Sequence, residues 1–219
     1  MRRFPPLYAI LDEETGVRAG WSIPALARAC LAGGARLLQV RAKQAPGGAL
    51  LAMCEEVAAE ARRADAILIV NDRADIAALA GADGVHLGQD DLPVPAVVRA
   101  FPSLGLIGVS THSPEQVDHA AAGPAAYIAV GPVFETGTKK TTPYRPVGVE
   151  LVGYAAGQVS QSSDHPSTAR PVVAIGGITL ERAVEVLEAG ATSVAVISDL
   201  LSTGDPEARV RQYVTRLGR

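Results

Sequence analysis

The chain has 219 residues, enough to bury a core of its own, and its 48% hydrophobic and 20% charged residues exclude a disordered polymer. A net charge of −3 and an aromatic content of 4% exclude the basic field and the stacking platforms that nucleic-acid binding needs. Cys30 and Cys54 fall inside predicted helices, with neither metal-ligand spacing nor the density of a disulfide framework, so a reduced, cytoplasmic setting is expected. Met1-Arg2-Arg3 carries charge, but Leu7–Leu11 is too short for the apolar core of a secretion signal, and Asp12-Glu13-Glu14 follows at once. No apolar run reaches spanning length, so no membrane is expected as a partner.

In chain order, the first β-rich run is Leu7–Leu11. Ser22 then caps an Ala/Leu helix with Pro24 early and Gly33-Gly34 as its stop. Further runs follow at Arg36–Val40, Ala66–Val70, Gly84–Leu87 and Leu106–Val109, each leading into a helical stretch. Ser113-Pro114-Glu115-Gln116 has capping-box spacing ahead of the helix after the fifth run. The sixth run is Ala126–Val130. The segment Ala155–Arg170, rich in serine, reads as the tail of a helix and a solvated polar loop on the face away from the active site. Val172–Ile175 is the seventh run, after which Thr179 opens a helix over Leu180–Ala189 that Gly190 closes. Ser193–Ile197 is the eighth, and Asp205-Pro206-Glu207 starts the last helix with acid at its positive end.

The runs are nearly continuous in aliphatic residues, the mark of strands buried on both faces in a parallel sheet. Eight strand–helix units in a chain of this length are the count of a closed barrel. The fold expected is therefore α/β, a (β/α)8 TIM barrel forming one domain over residues 1–219. An open doubly wound sheet is the alternative, but it usually has fewer strands and a glycine-rich first turn, and Asp12-Glu13-Glu14-Thr15-Gly16 is not one.

In such a barrel the active site gathers at the C-terminal ends of the strands. After the second strand, Gln39, Arg41 and Lys43 alternate and so point the same way, two cations and an amide suited to an anionic ligand. After the third and fourth strands come Asn71-Asp72-Arg73 and Gly88-Gln89-Asp90-Asp91. Adjacent strands lie about 5 Å apart, so Asp72 and Asp91 can converge on one hard cation of the Mg2+ type, with helix capping as the competing use of both. Acids beside bases suggest a metal–diphosphate clamp. After the fifth strand, Ser110 is placed to bind a ligand, Ser113 suits a cap, and His112 is open to acid–base work. His86 reads as structural, and His119 and His165 as surface residues. The long loop after the sixth strand, with Thr136, Gly137, Thr138, Lys139 and Lys140, suits a phosphate-gripping lid. Gly176-Gly177 after the seventh strand and Ser198 after the eighth stand where barrels of this kind commonly bind phosphate. Two anion sites at one mouth suggest two substrates being joined, with diphosphate leaving.

With these motifs in this order the chain resembles the thiamine phosphate synthase (thiamine-phosphate pyrophosphorylase) family, from Leu7-Tyr8-Ala9-Ile10 to the last helix. The motifs are Gln39–Lys43, Asn71–Arg73, Asp83–Asp91, Gly108–His112, Gly131–Phe134, Thr136–Lys139, Ile175–Ile178 and Val196–Ser198. The resemblance implies a transferase that joins 4-amino-2-methyl-5-hydroxymethylpyrimidine diphosphate to 4-methyl-5-hydroxyethylthiazole phosphate, with Mg2+. It implies that Gln39, Arg41, Lys43, Asn71, Ser110 and Lys139 hold the pyrimidine diphosphate, with Arg41, Lys43, Ser110 and Lys139 closest to the chemistry. It further implies that Asp72 and Asp91 bind the metal, and that Thr136, Gly137, Thr138, Gly177, Ile197 and Ser198 hold the thiazole phosphate. Small molecules are then the partners, with self-association left open. The chain departs from the family at Glu135-Thr136-Gly137, where a proline-containing loop is usual, and after Lys139.

Other readings compete. A thiazole tautomerase on the related barrel would use a histidine at His112 and can share Val133–Thr136, but has no need of the Asp72 and Asp91 pair. A non-catalytic phosphate binder would be expected to lack the metal and leaving-group residues. An aldolase-type barrel would want a strand lysine or carboxylate base, and no strand interior offers one clearly.

Overall fold

The computed structural model describes residues 4–136, 144–161 and 170–218. Eight parallel strands close into a barrel in sequential order, with β1 pairing β8 as well as β2. They are β1 (Leu7–Asp12), β2 (Leu37–Arg41), β3 (Ile67–Asn71), β4 (Gly84–Leu87), β5 (Leu106–Thr111), β6 (Tyr127–Val130), β7 (Val172–Ile175) and β8 (Ser193–Val196). The helices outside are α1 (Glu13–Arg18), α2 (Ile23–Ala32), α3 (Gly47–Arg63), α4 (Ala74–Leu79), α5 (Val94–Ala100), α6 (Pro114–Ala122), α7 (Gly148–Gln161), α8 (Ala183–Glu188) and α9 (Pro206–Leu217). A short 3-10 turn, Ser198–Leu201, follows β8. Among the described residues no helix is long and apolar enough to cross a membrane.

The near-continuous aliphatic strands resolve into two cores by their period of two. In β1, Leu7, Ala9 and Leu11 face the helices while Tyr8 and Ile10 face the barrel axis. The same parity puts Leu68 and Val70 outside and Ile67 and Ile69 inside, and Ile128 and Val130 outside with Tyr127 and Ala129 inside. Phe4 packs against Tyr127 and Tyr8 at ring-centroid distances of 5.2 and 6.4 Å and belongs to the inner core. Above this layer the inward positions turn polar, and that change defines the mouth.

The expected caps form at Ser22, Ser113 and Asp205, whose side chains accept from Ala25, Gln116 and Ala208 N–H groups. Two local readings are corrected. The acidic turn after the first strand is helix α1, which Asp12 caps by accepting from Thr15 N at 3.0 Å and Thr15 Oγ1 at 2.7 Å. The helix expected over Leu180–Ala189 begins only at Ala183. The Thr179 carbonyl takes the Arg182 and Ala183 N–H groups, and Leu180 N donates instead to the distant Asp199 carboxylate at 3.2 Å. The polar segment Ala155–Arg170 starts as helix, since α7 runs to Gln161, and its residues 162–169 lie outside the described ones.

Candidate active site

At the strand C-termini the structure opens two contiguous cavities. The first, about 440 Å³, lies over β1 to β5, and the second, about 340 Å³, lies over β6 to β8. Ser110, His112, Ala129, Ile175, Ala195 and Ile197 line both and form a shared floor.

The first lobe gathers Gln39, Arg41, Lys43, Asn71, Asp72, Asp91 and Ser110. Its cations are not free. Arg41 Nη1 pairs with Asp12 Oδ2, a carboxylate only 4% exposed, because the register of β1 and β2 sets Asp12 opposite Arg41. Lys43 Nζ lies 3.1 Å from Asp72 Oδ2. Asp12 is therefore a member of the site that its sequence context hid. Burial alone would raise its carboxyl, but the hydrogen bonds from the Thr15 hydroxyl and amide and from Arg41 outweigh that and hold it below the ordinary range.

Neither Asp72 nor Asp91 caps a helix: α4 has Arg73 at its N-cap and α5 has Pro93, without side-chain caps. Asp72 sits in left-handed backbone, φ +62°, with its N–H donating to the His86 carbonyl at 2.8 Å. Asp91 Oδ2 accepts from Gly88 N at 2.6 Å, which folds its carboxyl back over the end of β4. The two carboxyls are near enough for the Asp72 charge to act on Asp91. Burial, and then the Asp72 charge, push the Asp91 carboxyl above its usual range, against the opposing pull of Gly88 N–H and Lys43. Two crowded, hard oxygen donors of like charge at one rim are the donor chemistry that a divalent cation such as Mg2+ fits.

Beneath this lobe a polar line crosses the barrel. His86, in the middle of β4, lies 2.9 Å from Ser110 Oγ and 3.0 Å from the Tyr127 hydroxyl. Gln89 Nε2 donates to the Ser110 carbonyl at 2.5 Å. His112 donates from Nδ1 to the Gly131 carbonyl and stacks on Tyr144 with centroids 3.6 Å apart. A carbonyl only accepts, so the Nδ1 proton is fixed by that bond. His119 is exposed, and His165 lies outside the described residues.

The second lobe is lined by Thr136, Gly177, Ile197 and Ser198, with Glu135, the departure noted in the sequence, exposed at its edge. Gly177 has φ +64°, and a Cβ there would meet the Glu135 carbonyl at 2.3 Å, so only glycine lets the loops after β6 and β7 close on each other. Val133 N and Phe134 N donate to the Ile175 and Gly176 carbonyls at 2.8 and 3.0 Å and zip those loops together. Asp199, in the turn after β8, is spoken for by Arg209, Tyr213 and Leu180 N, which ties that turn to α9 and to the β7 loop. Gly137, Thr138 and Lys139 lie outside the described residues.

Comparison with known proteins supplies the remaining step. Residues 7–200 match the family model described as thiamine monophosphate synthase. The chain is 40% identical over 211 residues to the thiamine-phosphate synthase of Methanoculleus marisnigri, covering 96% of this chain and 94% of that one. It is 43% identical over 204 residues to the Thermus thermophilus thiamine-phosphate synthase, covering 91% and 93%. Among solved structures, the thiamine phosphate pyrophosphorylase of Pyrococcus furiosus superposes with a TM-score of 0.81 at 32% identity, over 97% of this chain and 95% of that one. A family match along almost the whole barrel, with relatives of one name over nearly its full length, decides the placement: this chain belongs to the thiamine monophosphate synthase family.

Proposed function

We propose that the whole chain, residues 1–219, is one catalytic domain that joins 4-amino-2-methyl-5-hydroxymethylpyrimidine diphosphate in the first lobe to 4-methyl-5-hydroxyethylthiazole phosphate in the second. The observation that carries this reading is the pair of unlike lobes meeting over one floor. One is rimmed by carboxylates and cations, and the other is built from glycine loops and hydroxyls. Arg41 and Lys43, with Lys139, would hold the diphosphate, and Gln39, Asn71 and Ser110 would position the pyrimidine ring. Asp72 and Asp91 would hold Mg2+, which when bound neutralises charge growing on the departing diphosphate. Thr136, Gly137, Thr138, Gly177, Ile197 and Ser198 would hold the thiazole phosphate.

The bond from the pyrimidine methylene to diphosphate oxygen breaks, and its electron pair leaves with the diphosphate. The amino-substituted ring spreads the positive charge that remains, and the thiazole nitrogen supplies the pair for the new carbon–nitrogen bond. No protein nucleophile or base is consumed. What this chain contributes is alignment of two reactants over a common floor, which replaces a bimolecular encounter. Small molecules are the partners. A cytoplasmic setting is supported by Cys30 and Cys54, both free and buried, with burial pushing each thiol up to about 12.

The test is to mix the folded protein with both substrates and Mg2+ and to follow thiamine phosphate and diphosphate by chromatography. Both products are expected, and Asp72→Ala and Asp91→Ala are each expected to abolish their Mg2+-dependent release. Folded protein that yields neither product, or full activity in both variants, overturns the assignment. The carboxylate pair with Lys43 favours this reaction over thiazole tautomerisation, which has no use for them.

A further inference from the structure

Five side chains form one hydrogen-bonded line under the first lobe. Gln39 Nε2 lies 2.7 Å from the Tyr8 hydroxyl, which lies 3.2 Å from that of Tyr127. Tyr127 lies 3.0 Å from His86 Nδ1, and His86 Nε2 lies 2.9 Å from Ser110 Oγ. Tyr127 lines neither lobe and is fully buried, so it acts on the mouth through its two partners, His86 and Tyr8, both of which line the first lobe.

The line has a direction, set at its Gln39 end. An amide nitrogen donates and does not accept. Tyr8 therefore accepts from Gln39 and passes its single proton to Tyr127, and Tyr127 passes its own to His86 Nδ1. Burial raises both phenols above their ordinary range, so both keep the protons this requires. A ring nitrogen that accepts carries no proton, so the neutral His86 ring has its proton on Nε2, where it is donated to Ser110 Oγ. The serine hydroxyl then has its own proton left over for the mouth.

Packing alone does not account for these residues. Two phenylalanines would fill the same space without burying two hydroxyls. The fold also makes room for an aromatic ring at this position: a Cβ on Gly108 of the neighbouring strand would stand 2.0 Å from Tyr127 Cζ.

We infer that Tyr8 and Tyr127 are positioning residues that relay the polarity of Gln39 to His86, hold it in its Nε2–H form, and so fix Ser110 as a hydrogen-bond donor toward the ligand. The group that meets Ser110 is then an acceptor, a pyrimidine ring nitrogen or a phosphoryl oxygen, and not the exocyclic amino group. This rests on the proposed placing of the pyrimidine diphosphate in the first lobe.

The relay is tested on the full chain labelled with 15N-histidine, with the His86 signals assigned by their loss in His86→Asn. Nitrogen chemical shifts are expected to show His86 Nδ1 bare and Nε2 protonated; a proton on Nδ1 in the wild type overturns the inference. Tyr127→Phe keeps the ring and its contacts with Phe4 and His86 but cuts the line. It is expected to lower kcat/KM for the pyrimidine diphosphate roughly tenfold, the loss of about one hydrogen bond, with the KM for thiazole phosphate unmoved. Tyr8→Phe removes the directing proton and also the acceptor of Gln39 Nε2, so it is expected to lower kcat/KM for the pyrimidine diphosphate at least as far as Tyr127→Phe, again with the KM for thiazole phosphate unmoved. Wild-type kinetics in Tyr127→Phe, or an equal loss toward both substrates, also overturns the inference. Failure of the chain to make thiamine phosphate would sink the proposed function, yet the ring-proton measurement would still decide the relay.

Discussion

Replacing Asp12 by asparagine removes the charge that faces Arg41 while leaving the volume of the side chain and its cap intact. Asp12 uses Oδ1 to accept from Thr15, and an asparagine carbonyl can keep both of those bonds, so the loss is confined to the Oδ2 contact with Arg41. The side chains are 4% and 17% exposed. Leaving a buried partner charge unpaired costs roughly 3–5 kcal/mol, and because the Arg41 guanidinium retains some access to water we expect about 2–3 kcal/mol here. For a chain of this size that lowers Tm by roughly 4–12 °C, measurable by circular dichroism. The Asp12→Asn, Arg41→Met double variant removes the stranded charge and is expected to recover most of the loss. The deficit also has a pH signature. The folded carboxyl of Asp12 is depressed, so its contribution is fully present above the unfolded value of about 4 and is lost as pH falls through the lower folded one. The gap between wild type and Asp12→Asn is therefore expected to close on acidification. A Tm change below about 1 °C at neutral pH, where the pair should matter most, would refute the reasoning, as would a double variant no more stable than the single.

Two further variants probe the second lobe. Asp199→Asn strands Arg209, a partner only 11% exposed, and is expected to cost about 2–3 kcal/mol in urea unfolding and to raise the KM for thiazole phosphate while leaving that for the pyrimidine diphosphate unchanged. Gly177→Ala puts a Cβ against the Glu135 carbonyl in left-handed backbone and is expected to destabilise by about 1–3 kcal/mol, with weaker thiazole phosphate binding by calorimetry.

The barrel was legible because every strand carries both of its faces in its own letters. Leu7-Tyr8-Ala9-Ile10-Leu11 is apolar throughout, and only a sheet covered on both sides explains that. The caps at Ser22, Ser113 and Asp205 were legible for a similar reason: cap and recipient lie within three residues. What stayed hidden is non-local. Asp12 looks like a stop after a strand until the register with β2 sets it against Arg41. Thr179 has the chemistry of a cap, but Leu180 N is taken by Asp199 from another loop, and the helix starts later. Gly108 and Tyr127 look like an unremarkable strand glycine and a core aromatic. Their dependence on each other exists only once β5 and β6 pair Gly108 with Tyr127.

The charges of the first lobe bear on the proposed reaction differently from the way their order in the chain suggests. Arg41 and Lys43, read in sequence, are two cations waiting for an anion. In the folded chain the lobe is lined by Arg18, Arg41 and Lys43 against Glu14, Asp72, Asp90 and Asp91, with Asp12 already on Arg41 and Asp72 on Lys43. Among the described residues, then, acid outweighs base. The second lobe is built differently: glycine backbone and hydroxyls line it, and its deep acid, Asp199, is neutralised by Arg209. On the proposed reading the thiazole phosphate can be bound by the protein alone, whereas the diphosphate is admitted only together with a divalent cation. The crowding that pushes the Asp91 carboxyl upward in the free protein is relieved by the same event. On that reading, binding of the diphosphate, and of the charge that builds on it as it leaves, would be conditional on one ion, which a lobe of lysines would not achieve.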